Sequence, residues 1–301
     1  MNEFLFSVLV ANYNNGSYIG TAIESVLRQS YKNWEIIIVD DASTDGSVLK
    51  LAPYLSDSRI RIFRNKVNFG CGYTKRRCIE LASGTIGGFL DPDDALTEDA
   101  IEIMVDAHNH FPEASLCYST HFICDETLTA IKVFDKPRQI PQGMTYLELS
   151  DGSISHFATF KMAVYRKMIG INPTLPKAVD QDLYYKLEEQ GNLRFVGKPL
   201  YYYRIHTRGI STGSNIKEAG YWNQQIREDA YLRRLTTAIA SGAGDIHNSA
   251  LKYYNIAALN GVRNHLFRKF LHYSWLYLKT SRFSIDTLKY LRRVFLVSFL
   301  T

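Results

Sequence analysis

A chain of 301 residues, 46% of them hydrophobic and 22% charged, can bury a full core and is too apolar for a disordered protein. Its formal charge of +5 is unevenly placed: residues 263–301 carry eight Lys or Arg against the single acid Asp286, so the basic character belongs to the tail and not to the body. The N-terminus runs from Phe4–Val10 straight into polar Asn12-Tyr13-Asn14-Asn15 with no basic n-region before it, which predicts a protein that is not secreted.

Short β-branched runs alternate with helical patterns through the first half. A strand at Ser7–Ala11 is followed by a helix from about Tyr18 to Gln29, on which Ile19, Ile23, Val26 and Leu27 share one face. Trp34–Val39 reads as a parallel strand buried on both faces, with a helix after Ser43-Thr44-Asp45. Strand Ile60–Phe63, helix Gly72–Ala82 and strand Ile86–Leu90 continue the series, then a helix from Thr97 to about His110 and a strand near Ser115–Phe122. Between Ala130 and Asp180 prolines break the pattern, although Thr159–Arg166 has strand character. A helix from Asp180 to about Gln190 and strands at Leu193–Val196 and Leu200–Ile205 follow, and beyond Gly213 the chain is helical and tyrosine-rich, with a break near Ser241-Gly242-Ala243-Gly244. Such alternation predicts an α/β fold with a mostly parallel sheet and right-handed crossovers.

The four cysteines fit neither disulfides nor a metal site. Cys71 and Cys78 on one helix stand about 10 Å apart, too far to bridge, and the odd spacing of Cys117 and Cys124 sets them on opposite faces of a strand. Buried, reduced thiols are expected.

In parallel α/β sheets ligands bind beyond the carboxyl ends of the strands. Three polar runs therefore belong on one edge: Asn12-Tyr13-Asn14, Asp40-Asp41 and Asp91-Pro92-Asp93-Asp94. Crowded carboxylates repel unless a proton or a cation compensates them, and hard oxygen ligands suit Mg²⁺ or Mn²⁺. The same four residues also suit a turn in which Asp93 or Asp94 caps the next helix. Residue type alone leaves both readings open.

The order of the motifs separates them. Ser7–Asn14, Ile37–Ser47 with its V-D-D-x-S-T-D-x-S ending, Asn68-Phe69-Gly70, Ala82-Ser83-Gly84 with Phe89–Asp94, Asp180–Leu187 and Tyr202-Tyr203-Arg204-Ile205-His206 together resemble glycosyltransferase family two over roughly residues 4–210. The resemblance implies a GT-A fold, Rossmann-like with helices flanking the sheet, in a catalytic domain 1–210 followed by a helical, basic extension 211–301. It also implies an inverting enzyme that moves a hexosyl or N-acetylhexosaminyl group from a nucleoside-diphosphate sugar, UDP-linked, to a glycan or lipid-linked saccharide acceptor in cell-surface polysaccharide synthesis. Tyr13 and Asp40 would hold the nucleobase, with Asn12, Asp41 and Lys75 also on the donor. Asp93 would be the first metal ligand for Mn²⁺ or Mg²⁺, Asp91 would serve the ribose or the metal, and His206 and Asp94 would complete the set.

Asp180 matches the general base, which must reach the acceptor hydroxyl at hydrogen-bond distance. Val179 replaces the family's usual Glu, so Asp182 remains an alternative base. Lys75-Arg76 replaces a common Arg-Asn and keeps a cation for the diphosphate or for Asp40. A non-catalytic nucleotide-sugar-binding protein of the same fold is the rival function. The first loop lacks G-x-G-x-x-G and no P-loop occurs, which sets aside dinucleotide and Walker-type sites. The tail interleaves cations with aromatics such as Trp275 and Tyr277, as a helix lying on an anionic membrane would, or as a helical cap with a solvated basic face would. A cytoplasmic protein, peripheral on the inner membrane face and without nucleic-acid partners, is the expectation.

Overall fold

The structure, a computed structural model, describes residues 4–206, 216–242, 245–264 and 266–281. It divides into two compact units, Met1–Ile216 and Lys217–Thr301. The boundary expected near residue 210 lies outside the described residues, as do Arg282, Asp286, Lys289, Arg292 and Arg293 of the basic tail.

The first unit is a nine-stranded sheet. β1 (Phe6–Asn12), β2 (Trp34–Asp40), β3 (Ile60–Arg64) and β4 (Ile86–Phe89) are connected by α1 (Ile19–Leu27), by α2 (Ser47–Leu51) with a 3-10 turn at Ala52–Ser56, and by α3 (Cys71–Leu81). These four strands pair in parallel in the order β3-β2-β1-β4, as the alternation predicts. Ile36, Ile37, Ile38 and Val39 of β2 are all fully buried, because helices cover both faces of a parallel sheet. Glu35 interrupts that apolar run without harm. Its carboxylate accepts from Ser7 Oγ, from the Ser83 and Gly84 amides and from Arg61, so its desolvation is offset.

The parallel order stops at β4. The next neighbour, β8 (Ala158–Lys161), runs antiparallel to it, and β6 (Ala114–Cys124) runs antiparallel to β8. β9 (Asn192–Arg204) returns parallel to β6, and β5 (Ala95–Leu96) and β7 (Ala130–Val133) add antiparallel pairings, so the sheet is mixed as a whole. The two strands expected at 193–196 and 200–205 are one irregular strand, and the run 159–166 divides into β8 and α6 (Met162–Tyr165). α4 (Ala100–His110), α5 (Tyr146–Leu149) and α7 (Val179–Glu188) complete this unit. Its core joins β1 and β2 to Ile19, Ile23 and Val26 of α1 and to Ile101, Met104 and Val105 of α4, each such side chain contributing roughly 1.5–3 kcal/mol.

The second unit contains α8 (Ile216–Ser241), α9 (Ile246–Arg263) and α10 (Phe267–Ser281). The buried Glu228 of α8 ties the three together, accepting from Asn260 Nδ2 of α9 at 2.8 Å and pairing with Lys269 Nζ of α10 at 2.7 Å. No helix among the described residues is long and apolar enough to cross a membrane. All four cysteines are free, Cys71 and Cys78 on α3 and the other two on β6.

Candidate active site

The carboxyl ends of β1, β2 and β4 meet the start of α7 and the end of β9 around a cavity of about 480 Å³. Asn12, Tyr13, Asp41, Lys75, Asp91, Asp93, Asp94, Asp180 and His206 line it, whereas Asp40 and Asp182 do not. The three polar runs that follow β1, β2 and β4 thus converge where the sheet topology requires.

The segment after β4 owes its shape to β9. Arg204, 7% exposed, donates from its backbone amide to Asp94 Oδ1 at 2.7 Å and from Nε to the Asp93 carbonyl at 2.6 Å. Its guanidinium also reaches the Glu126 carbonyl and lies 4.6 Å from the centre of the Tyr18 ring. Tyr201 donates its hydroxyl to Asp94 Oδ2 at 2.8 Å and accepts from the Asp91 amide at 3.1 Å. Both oxygens of Asp94 therefore accept from β9, while the residue also lines the cavity. Burial, reinforced by Asp93 and Asp91, drives the Asp94 carboxyl well above the usual carboxylate range despite those hydrogen bonds. Asp93 instead presents Oδ2 to His206 Nε2 at 2.8 Å, with the Tyr18 ring packed against the imidazole. Among the described residues no set of three or more metal-capable side chains converges.

Asp91 faces Lys75. The ammonium of this 4% exposed lysine stands 3.3 Å from Asp91 Oδ1 and 2.8 Å from Asp180 Oδ1, and 4.8 Å from the centre of the Phe89 ring. Burial pulls Lys75 down, but the two carboxylates more than reverse it and hold the group well above its ordinary value. Burial pushes the Asp91 carboxyl up, and Lys75 with His156 brings it below its ordinary value. The Lys75 ammonium is thus shared between two cavity carboxylates, Asp91 and Asp180.

Helix geometry separates the two candidate bases. Residues two apart on an α-helix point about 200° apart, so Asp180 and Asp182 cannot share a face. Asp180 lines the cavity. Asp182 is 3% exposed and pairs with Lys186 Nζ at 2.6 Å, which also donates to the Gly170 carbonyl. Its carboxylate is paired in the interior and is not among the residues that line the cavity.

At the β1 and β2 ends the acids also accept from neighbouring donors. Asp40, 1% exposed, accepts from Asn12 Nδ2 at 2.8 Å and from the Ser43 amide at 3.0 Å, with Arg64 Nε at 3.5 Å. It braces the loop rather than presenting an oxygen to the cavity. Asp41 accepts from Asn65 Nδ2 and from the Phe69 and Gly70 amides, which shapes the turn into α3. Gly70 takes φ 90° there, a conformation that favours glycine. Asn12 is different. A carboxylate only accepts, so its Nδ2 must face Asp40, and its buried Oδ1 is left with no hydrogen-bond partner among the described residues. Tyr13 beside it is 45% exposed.

Backbone strain gathers here as well. Of five non-glycine residues with positive φ among those described, Asn14, Ala42 and Ala178 adjoin the cavity residues Tyr13, Asp41 and Val179. Arg204 and Tyr201 are the site-shaping positions that sequence reasoning passed over. Arg204 stood inside the Y-R-x-H run, and apolar Leu200, four residues before it on the same strand, was the available signal that it points inward.

The family model for Glycosyl transferase family 2 matches residues 7–170. A chondroitin synthase of Escherichia coli is 29% identical over 209 residues, which is 69% of this chain and 30% of that one. An E. coli UDP-Glc:alpha-D-GlcNAc-diphosphoundecaprenol beta-1,3-glucosyltransferase, WfgD, is 34% identical over 105 residues, 35% of this chain and 41% of that one. The chain spans less than half the length of either curated relative. The crystal structure of S. aureus TarS 1-349 in complex with UDP-GlcNAc superposes with a TM-score of 0.63 at 17% identity, covering 91% of this chain and 81% of that one, which shows a shared GT-A fold. Matched by that model over more than half its length, with the acidic and Y-R-x-H segments brought to one edge of a GT-A sheet, the chain belongs to glycosyl transferase family 2.

Proposed function

We propose that the chain transfers a sugar from a UDP-sugar to a hydroxyl of a saccharide or lipid-linked saccharide, with inversion at the anomeric carbon and with Mn²⁺ or Mg²⁺. The observation that carries this reading is that one cavity is lined both by the Asp93–His206 pair and by Asp180. In a single displacement the acceptor oxygen bonds to the anomeric carbon, and the bond from that carbon to the diphosphate breaks, its electron pair leaving with UDP. The acceptor proton passes to the Asp180 carboxylate.

One carboxylate and one imidazole form a small donor set, and it fits a dication whose remaining ligands are phosphate oxygens, the imidazole favouring Mn²⁺. Asp93 and His206 would hold it, and the metal would neutralise charge growing on the leaving diphosphate. Asp94, Tyr201 and Arg204 keep Asp93 in place. The exposed Tyr13 ring offers a stacking face for the base. The unpartnered Asn12 Oδ1, oriented by Asp40, offers an acceptor for a base N–H. UDP as the nucleotide, with glucose or GlcNAc as the sugar, draws support from the donors named for WfgD and for the TarS complex.

A cytoplasmic location against the membrane suits a lipid-linked acceptor. α10 carries no acid, and its exposed positions include Arg268, Leu271, Trp275 and Lys279, with Lys279 Nζ 4.9 Å from the Trp275 ring centre. Calorimetry of UDP with and without MnCl₂ tests the donor reading. Binding that requires the metal is expected. No binding of any nucleoside diphosphate with either Mn²⁺ or Mg²⁺ would overturn it.

A further inference from the structure

Lys75 is buried, charged and fully engaged. An ammonium has three N–H donors. One is directed to Asp180 and one to Asp91, and the remaining side of the group faces the Phe89 ring. A contact with donor phosphate would require Lys75 to give up one of these partners. The helix that carries it is also anchored to the chain that carries Asp180. Asp41 fixes the turn leading into α3, the Gly72 amide donates to the Leu175 carbonyl at 3.0 Å, and one turn later Lys75 meets Asp180. The approach at Gly72 is close: a Cβ there would fall 2.5 Å from the Asn172 carbonyl oxygen and 2.7 Å from that of Leu175. Ala178, at φ 58°, then turns the chain into α7.

We infer that Lys75 is a positioning residue for the proposed base. It holds the Asp180 carboxylate at the cavity wall and ties it to Asp91, so that proton removal from the acceptor depends on an α3 side chain that touches neither acceptor nor leaving group. The inference rests on the reading of Asp180 as the base. The proton path is unchanged by it, because the acceptor proton still goes to Asp180 and Lys75 keeps its own. A lysine that served only the diphosphate would act on donor affinity. One that acts through Asp180 must act on turnover.

A double-mutant cycle separates these roles. K75M, K75R, D180N and K75M/D180N are compared by UDP affinity in MnCl₂ and by UDP released from UDP-GlcNAc or UDP-glucose, with thermal unfolding of each variant as the check on folding. K75M is expected to lower kcat about 100-fold, within the range of a lost general base, and to change UDP affinity by less than about threefold. In the D180N background the same change is expected to alter kcat by less than about twofold. K75R keeps the cation and is expected to recover most of the turnover. Should K75M not fold, K75Q replaces it with the same expectation. Weaker UDP binding at unchanged kcat, independent effects of K75M and D180N, or a K75R as inactive as K75M would each overturn the inference while leaving the base in place. A fully active D180N would instead remove the base itself, and the inference with it.

Discussion

Nε2 of His206 lies 2.8 Å from Oδ2 of Asp93, a contact across 113 residues of chain. Asp94, next to Asp93, spends both oxygens on Tyr201 and Arg204. Loss of an outer-shell partner typically costs a metal site about 10–100-fold in affinity, so loss of a ligand is expected to cost at least about 100-fold. D93N and H206A should therefore abolish the Mn²⁺ dependence of UDP binding in calorimetry, whereas D94N keeps it and shows its effect in thermal unfolding. Equal metal affinity in D93N and wild type would contradict the assignment.

Asp180 and Asp182 are expected to fail in different ways. D180N should lower kcat by about 10²–10⁴-fold while UDP affinity stays near that of the wild type, and it should lose less stability than D182N because Lys75 keeps Asp91. D182N leaves the Lys186 ammonium buried without its carboxylate, a loss of about 3–5 kcal/mol in stability. Its turnover per folded molecule should stay within a few fold. Urea unfolding beside a UDP-release assay distinguishes the two, and a stable but inactive D182N would reverse the roles.

Two buried histidines predict acid sensitivity. Burial, with Lys161 adding to it, pushes His108 from 6.5 to about 3 against its bond with Thr159, and burial together with His156 pushes His121 to about 3. Between those values and 6.5 the unfolded chain binds more protons than the folded one. The stability contributed by each neutral imidazole is therefore full above about pH 6.5 and drains as the pH falls, at up to about 1.4 kcal/mol per pH unit each. Unfolding midpoints measured from pH 7.5 to 5 should fall accordingly, and H108Q should have a shallower slope than the wild type. An unchanged slope would show that His108 is not held neutral.

Much of the first unit was legible because its parallel strands are apolar and separated by periodic helices. The region after His110 was not. All four residues of β7 are exposed and β8 is four residues long, so neither leaves a clean alternation, and the antiparallel insertion of β8 beside β4 rests on contacts far apart in sequence. One pairing was within reach. Lys186 stands four residues after Asp182, the spacing at which helix side chains pair, and that spacing marked Asp182 as already engaged.

By itself the sequence determined the strand and helix alternation and, through it, that Tyr13, Asp41 and Asp93 lie at one edge, since parallel strands put their carboxyl ends together. It also determined that Asp180 and Asp182 oppose one another, since helical rotation is local. The tertiary structure decided which donor each carboxylate meets. Asp94, Asp182 and Asp40 satisfy donors on β9, on Lys186 and on Asn12, while Asp93 meets His206 and Asp180 meets Lys75 at the cavity wall. Identical side chains diverge in this way because each buried donor must find an acceptor, and only the packed chain shows which aspartate it finds.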